Sequence, residues 1–272
     1  MRAYLKPVLG VIIFLVSQVA VGTILTIFCT ATNTKLTDHP TLLALSIIVS
    51  GIISVAILWA MRLIKSKTFN PFRIDWKRAP LGIAAAVSAI IAMDLLSEQI
   101  NLPDLMELEF KELATNPLGI LAIAIVGPIV EELVFREGII RYLLRHGEHR
   151  KYAVLFSAVV FGLIHFNPAQ IPFAIITGII LGIIYVKSGS IIITSLIHIL
   201  NNTVALIEMR LTDGTINEDH KLTEALGGPM LTWIYIIVFS ALCIVFMKTF
   251  ISKYRKKPAK SKKQEEKVKE YY

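Results

Sequence analysis

The chain has 272 residues, of which 55% are hydrophobic, and its mean hydropathy is +0.66. Soluble globular domains have a smaller apolar share, so this composition indicates a membrane protein and excludes an ordinary soluble enzyme. The net charge of +8 does not indicate nucleic-acid binding, because nine of the 28 Lys and Arg residues lie in the last twenty positions. A basic tail of this kind is typical of a solvated segment beside anionic lipid headgroups.

Apolar segments follow one another along the chain, and about 20 such residues are needed to cross a membrane. The first segment is too long for the apolar region of a cleaved signal peptide, so we expect a retained helix. The fifth and sixth are short, and the stretch HFNPAQIP between them predicts a tight loop at or within the membrane. The predicted spans are 7–31, 42–64, 80–100, 117–144, 151–166, 170–187, 190–210 and 229–250.

The positive charges alternate between the loops that join these spans. With the N-terminus in the cytoplasm, 23 of the 28 Lys and Arg residues lie on the cytoplasmic side and four lie outside, as the positive-inside rule requires. The remaining one, Arg136, lies well inside the fourth span. The sequence therefore predicts an all-α, polytopic membrane protein with about eight transmembrane helices and with both termini cytoplasmic. The pattern suits a bacterial plasma membrane.

The predicted spans divide the chain into four parts. Residues 1–116 hold the first three spans and an outer segment, 103–115, which reads equally well as a short amphipathic helix or as a polar loop. Residues 117–210 hold spans four to seven and most of the polar residues that lie within spans. An outer loop and the eighth span follow in 211–252, and the basic cytoplasmic tail occupies 253–272.

Several ionisable side chains lie inside the predicted spans, where a charge costs at least about 2.5–3.5 kcal/mol on insertion scales. With a helical rise of about 1.5 Å per residue, four of the polar groups lie roughly 14–21 Å from the predicted cytoplasmic edge. Three helices thus present polar groups at similar depth, which indicates one site. The ionisable residues are Asp94, Glu131, Glu132, Arg136, His165 and His198, and Asn201 and Asn202 follow the last of them.

Spacing along the fourth span separates its charges. Glu132 and Arg136 are four residues apart, so we expect them to pair on one helix face. Glu131 points about 100° away from Glu132 and stays free for another role. His198 and Asn202 likewise share a face. Asp94 fits a structural partner of a hydroxyl group or of Arg136 as well as it fits a role in the site.

A glutamate, two histidines and an asparagine suit the hydrolysis of a peptide bond. A carboxylate can activate a water molecule as a general base, and a histidine and an asparagine can donate hydrogen bonds to an oxyanion. One glutamate and two histidines also match a catalytic zinc site, and the sequence leaves both alternatives open. A transport path and a purely structural polar cluster are further alternatives, although no inverted repeat supports transport.

Three short motifs in the second half of the chain carry a family resemblance. EELVFR at 131–136 matches EExxxR, FGLIH at 161–165 matches FxxxH, and HILNN at 198–202 matches HxxxN. In this order on membrane helices they resemble the CPBP family of intramembrane proteases. That family includes the type II CAAX prenyl endopeptidases and the Abi-type bacteriocin-processing and immunity proteins. The resemblance covers about residues 117–205.

The resemblance implies a role for each motif residue. It implies that Glu131 is the base that activates water and that His165 assists it. His198 and Asn202 would stabilise the oxyanion, while Glu132 and Arg136 would order the site.

The resemblance leaves the cofactor and the substrate open, because the family has been called both glutamate-type and metal-dependent. We favour a mechanism without a metal; the alternative is zinc or another divalent ion held by Glu131, His165 and His198. The implied partner is a protein or peptide substrate, membrane-associated or lipidated. A non-catalytic immunity protein that acts by binding is the second functional hypothesis.

Overall fold

The computed structural model describes residues 2–64, 74–212 and 222–255, and every regular element in these ranges is helical. Parts of two predicted segments lie outside the described residues, namely 213–221 of the outer loop and 256–272 of the basic tail. The helices are α1 (Arg2–Ala31), α2 (Pro40–Ala60), α3 (Ala79–Ile100), α4 (Glu107–Thr115), α5 (Pro117–Arg145), α6 (Arg150–Leu163), α7 (Ile171–Ser188), α8 (Ile191–Thr212), α9 (Leu222–Ala225) and α10 (Pro229–Arg255).

Seven of the described helices are long and apolar enough to cross a membrane, namely α1, α2, α3, α5, α7, α8 and α10. The predicted multi-pass, all-α membrane fold is therefore confirmed. The predicted fifth span is a helix, α6, but it has only 14 residues, or about 21 Å, which is shorter than the hydrocarbon core of about 30 Å. It ends at Leu163 because Phe166 has a positive φ of 51° and Pro168 disfavours helix before it.

α6 and α7 form a closely packed hairpin that carries one wall of the candidate site. A Cβ atom at Gly178 would lie 2.9 Å from the Ala158 Cα atom, and one at Gly182 would lie 2.9 Å from Val154 Cγ1. Both distances are shorter than real contacts, so these two glycines allow α7 to approach α6. The stretch GIILG at 178–182 thus lies at a close helix contact.

The outer segment forms α4, which begins at Glu107 rather than at residue 103. Leu113 and Ala114 are buried on one of its faces, while Leu108 is 75% exposed. The Arg210 guanidinium group at the end of α8 donates from Nε and Nη2 to the Ala114 carbonyl oxygen, at 2.9 and 2.6 Å. α4 is therefore an amphipathic helix that is fixed to the bundle and covers one end of it.

α5 is not a uniform α-helix, because two stretches, Ala122–Val126 and Leu133–Arg141, are π-helical. A π-helix pairs each N–H with the carbonyl five residues earlier, and such stretches frequently occur at functional sites. The wider turn brings residues four and five apart onto nearly the same face. This geometry decides where the charges of α5 point.

Candidate active site

One cavity of about 770 Å³ collects the four predicted reactive residues, a volume within the range of about 300–1,000 Å³ that is usual for ligand sites. Side chains from α1 to α8 line it. The predicted residues on its wall are Glu131 from α5, His165 after α6, and His198 and Asn202 from α8. The structure therefore brings together residues that are up to 71 positions apart in the sequence.

Glu132 and Arg136 form the predicted ion pair behind this wall. Arg136 Nε donates to Glu132 Oε2 at 3.0 Å, and both side chains are fully buried. A buried pair of this kind is costly to break, because removal of one partner leaves an uncompensated charge. The pair therefore holds the Glu132 carboxylate in one orientation.

His198 lies between the two adjacent glutamates of α5. Its Nδ1 atom is 3.2 Å from Glu132 Oε1, and its Nε2 atom is 3.5 Å from Glu131 Oε2. Both carboxylates thus reach the same imidazole ring, while only Glu131 lines the cavity and Glu132 is fully buried.

The contact with Glu132 defines the hydrogen-bonding role of His198. An ionised carboxylate only accepts hydrogen bonds, so the Nδ1 atom must donate to Glu132. The Nε2 atom then faces Glu131, and a proton on either group is needed for a direct hydrogen bond. His198 is only 4% exposed, whereas the Glu131 side chain is 22% exposed. Glu131 is thus the more accessible of the two glutamates.

The backbone of its own helix end orients His165. Its Nδ1 atom is 2.8 Å from the Phe161 carbonyl oxygen, which can only accept. Nδ1 therefore carries the proton, and Nε2 presents a lone pair. Because His165 lines the cavity, this nitrogen can accept a proton from a bound water molecule or from a reacting group.

Phe161, the first residue of the FxxxH motif, lies at the centre of the site. Its ring contacts His165 and His198 edge-on, with centroid distances of 5.0 and 5.7 Å. The Arg136 guanidinium carbon lies 5.3 Å from the same ring centroid, within the usual range of cation–π contacts. One buried aromatic side chain thus contacts all three polar groups and fixes their separation.

Asn202 makes a contact that the sequence did not reveal. Its Nδ2 atom donates to the Ile123 carbonyl oxygen at 3.0 Å, and its Oδ1 atom accepts from Asn201 Nδ2 at 3.2 Å. The Ile123 carbonyl is free for this bond because the Gly127 N–H bonds to Ala122, and Pro128 has no N–H to donate. One Nδ2 hydrogen of Asn202 remains for a ligand, since an amide nitrogen carries two.

A second buried polar cluster adjoins the site and was missed by the sequence analysis. Arg141 Nη1 lies 2.6 Å from Glu137 Oε2, and the Tyr185 hydroxyl of α7 donates to Glu137 Oε1 at 2.5 Å. All three side chains are at most 7% exposed. The available signal was the spacing of four between Glu137 and Arg141, which repeats that of Glu132 and Arg136.

Asp94 lines the cavity from α3 and is not the partner of Arg136, which pairs with Glu132. Asp94 thus lies beside the candidate site, and its role in the site stays a prediction. Among the described residues that line the cavity, none is Lys or Arg, and five carry a carboxyl group. They are Asp94, Glu98, Asp104, Glu131 and Glu208.

The two histidines have the orientation of water-activating groups and also that of metal ligands. In each ring Nδ1 meets a fixed oxygen acceptor, the Glu132 carboxylate or the Phe161 carbonyl, as is usual for histidines that bind zinc through Nε2. Within the described residues, however, no three His, Cys, Asp or Glu side chains are arranged to hold a metal ion.

The fold and the cavity together define a multi-pass, α-helical membrane protein with a buried Glu–His–Asn centre. Residues 113–204 match the model of a family described as "Type II CAAX prenyl endopeptidase Rce1-like". The match includes all six predicted site residues and confirms the resemblance to the CAAX prenyl endopeptidases.

One curated relative aligns with this chain over a segment about as long as the one that matches the family model. A protein of Bacillus subtilis (strain 168) named "Putative membrane peptidase YdiL" is 32% identical over 91 residues. The aligned segment covers 34% of this chain and 37% of the relative, so the chain spans little more than a third of that protein. No solved structure matches the chain.

Proposed function

We propose that this protein is an intramembrane endopeptidase that hydrolyses a peptide bond with a water molecule activated by Glu131. The observation that carries the proposal is the position of His198, with one ring nitrogen on the anchored Glu132 and the other 3.5 Å from Glu131 in the cavity. The match of residues 113–204 to a family of prenyl endopeptidases supports the same activity. The resemblance to a membrane peptidase of a bacterium supports a bacterial plasma membrane.

In the proposed reaction, Glu131 accepts a proton from water while the water oxygen attacks the carbonyl carbon of the scissile bond. His165 holds the same water through its Nε2 lone pair, because its Nδ1 proton is committed to the Phe161 carbonyl. The π bond of the carbonyl opens, and its electron pair passes to the oxygen. A general base contributes typically about 10²–10⁴-fold to such a step.

The resulting oxyanion accepts hydrogen bonds from the second Nδ2 hydrogen of Asn202 and from His198 Nε2, which in this proposal carries a proton in addition to the Nδ1 proton that is donated to Glu132. Glu132 keeps His198 in the orientation that presents Nε2 to the cavity, and Arg136 keeps Glu132 in place. The intermediate then collapses, the C–N bond breaks, and the proton held by Glu131 passes to the leaving nitrogen. The products are a carboxylic acid and an amine, so water is the only co-reactant.

The substrate in this proposal is a peptide segment that is membrane-associated or lipidated. A cavity of about 770 Å³ can hold several residues of an extended chain. The carboxylates on its wall favour a segment with Lys or Arg over an acidic one. Processing of a bacteriocin precursor is one reaction of this class.

The proposed mechanism needs no metal ion, and zinc bound by Glu131, His165 and His198 is the alternative. Purified protein treated with a chelator and dialysed should keep its activity if Glu131 and His165 activate water alone. Loss of activity on chelation that is restored by zinc would establish the metal-dependent mechanism. Metal analysis of the same samples gives a second readout that does not depend on cleavage.

Comparison of membranes from cells with the unaltered protein and with Glu131→Ala tests the function. We expect at least one membrane peptide whose cleavage stops in the variant. Glu112→Gln is the matched control, because Glu112 is an exposed carboxylate on α4. Equal cleavage in the Glu131→Ala cells would contradict the proposal. An immunity function that survives Glu131→Gln would favour binding without catalysis.

A further inference from the structure

Two loops meet at the end of the bundle that α4 covers. One is the linker between α3 and α4, and the other is the turn that joins His165 to α7. The Ala169 N–H donates to the Pro103 carbonyl oxygen at 3.2 Å. We use the term clasp for residues 103–105 together with residues 167–169.

The side chain of Asn167 makes the other two hydrogen bonds of the clasp. Its Nδ2 atom donates to Asp104 Oδ1 at 2.8 Å, and its Oδ1 atom accepts from the Leu105 N–H at 3.2 Å. Asn167 is fully buried. Asp104 Oδ1 also accepts from the Met106 N–H at 2.9 Å, so the carboxylate is fixed on both sides.

The main chain of Asn167 begins the next helix. Its carbonyl oxygen accepts from the N–H groups of Gln170 and Ile171, at 2.9 and 3.0 Å. One residue therefore fixes the linker before α4 and the first turn of α7 at the same time. A buried amide with both ends bonded has one orientation, because each alternative leaves a donor or an acceptor unpaired.

Asn167 is two residues from His165, and the residue between them is strained. Phe166 has a φ of 51°, and its ring is 64% exposed. A bulky residue rarely adopts this left-handed conformation, and it persists where the surrounding structure determines it. His165 on one side bonds to the Phe161 carbonyl, and Asn167 on the other side bonds to the clasp.

We propose that Asn167 is a positioning residue for hydrolysis and that it fixes the His165 imidazole in the cavity by tying the turn 166–169 to the α3–α4 linker. The inference rests on the proposed function of the site. It extends the candidate centre to a residue outside the three motifs and to Asp104, which lines the same cavity. α4 and the reacting groups are then mechanically connected through one amide.

The hydrogen-bond pattern allows a test by exchange of the two side chains. In Asp104→Asn the new amide oxygen still accepts from Asn167 and from Met106, so the clasp is preserved. In Asn167→Asp two carboxylates face each other. In the double variant the amide at 104 donates to the carboxylate at 167, and this carboxylate also accepts from the Leu105 N–H. All the hydrogen bonds of the clasp are thus restored, and only the direction of the bond between positions 104 and 167 is reversed.

The measurement is kcat and KM of the full chain in lipid bicelles, with a quenched fluorescent peptide that spans the bond cut in the membrane comparison. We expect Asn167→Asp to lose about tenfold or more in kcat at similar KM. Asp104→Asn alone is the reference for the double variant, because Asp104 lines the cavity and its own effect on kcat and KM must be separated from that of the clasp. The double variant should recover to within about threefold, because the two sites are coupled. Activities are normalised to folded protein by thermal unfolding.

Three outcomes would overturn the inference. Normal kcat in Asn167→Asp would show that the amide does not position His165. A double variant that is as stable as the unaltered protein but stays inactive would exclude the clasp as the cause. Absence of Glu131-dependent cleavage by the unaltered protein would overturn the proposed function together with this inference, whereas the first two results leave the proposed function intact.

Discussion

Two Glu–Arg pairs lie five residues apart on α5, and they differ in what each carboxylate contacts besides its arginine. Glu132 contacts His198, which lines the cavity. Glu137 contacts the Tyr185 hydroxyl, which is buried between α5 and α7. The charge pattern along the sequence is the same in both cases. The third partner, supplied by another helix, decides whether a pair belongs to a reactive site or to the packing of the bundle.

The π-helical stretch Leu133–Arg141 explains why both pairs face the interior. In a π-helix each N–H bonds to the carbonyl five residues earlier, so residues five apart lie close to the same face. The second Glu–Arg pair therefore faces nearly the same direction as the first pair, one turn further along α5. Arg136 and Arg141 are therefore both buried rather than on opposite sides of the helix. Neighbouring helices also use the carbonyls of the stretch, since Ser157 Oγ donates to the Phe135 carbonyl at 3.0 Å.

The largest expected difference in kcat is between the variants Glu132→Gln and Glu137→Gln. A glutamine at 132 has one oxygen for two donors, so its N–H group faces either the His198 Nδ1–H or the Arg136 Nε–H, and we expect kcat to fall about 100-fold or more. A glutamine at 137 leaves Arg141 buried without its counter-charge, which destabilises the protein by about 3–5 kcal/mol. Its kcat per folded molecule should stay within about twofold.

Thermal unfolding in detergent and kcat normalised to folded protein separate these two effects. The comparison fails if Glu137→Gln loses as much kcat as Glu132→Gln while it unfolds at the temperature of the unaltered protein. That result would mean that the two pairs act as one unit. The cluster of Glu137, Arg141 and Tyr185 would then belong to the catalytic machinery.

The next largest loss of kcat is expected on substitution of Phe161, whose ring contacts both histidines. Phe161→Leu removes the edge-on contacts to His165 and His198, and each aromatic pair contributes about 0.5–1.5 kcal/mol beyond its buried area. We expect kcat to fall about tenfold, since 1.36 kcal/mol corresponds to a factor of ten. Phe156→Leu, which loses only an edge contact to Tyr4 at 4.9 Å, should destabilise without a change in kcat. Equal kcat losses in both variants would refute the positioning role of Phe161.

The sequence predicted the parts of the fold that depend on composition and on local spacing. The apolar lengths predicted the long helices, and the spacing of four predicted the pair of Glu132 and Arg136. A similar distance from the predicted cytoplasmic edge of the membrane indicated one site for Glu131, His165, His198 and Asn202, and these residues line one cavity. These properties follow from rise per residue and from the cost of charge in lipid, which are both readable from one helix at a time.

The sequence did not predict contacts that depend on the rotation of one helix against another. The contact of Glu132 with His198 joins two helices across 66 positions of the sequence. The tie between Asn167 and Asp104 joins loops that are 63 residues apart. The stretch HFNPAQIP predicted a loop after the fifth span, but it did not predict the left-handed φ of Phe166 that accompanies the end of α6 at Leu163.

The smallest expected effect tests the other π-helical stretch, through Pro128. In Pro128→Ala the new N–H group can bond to the carbonyl of residue 123 or 124, and it then competes with Asn202 for Ile123. A net hydrogen bond is worth about 1 kcal/mol, so kcat should change by about fivefold. Pro80→Ala is the matched control, because Pro80 lies in the first turn of α3, where an N–H has no helical partner. If kcat is unaltered in Pro128→Ala while Asn202→Ala is inactive, Asn202 acts through its free Nδ2 hydrogen alone, and the bond to Ile123 serves packing.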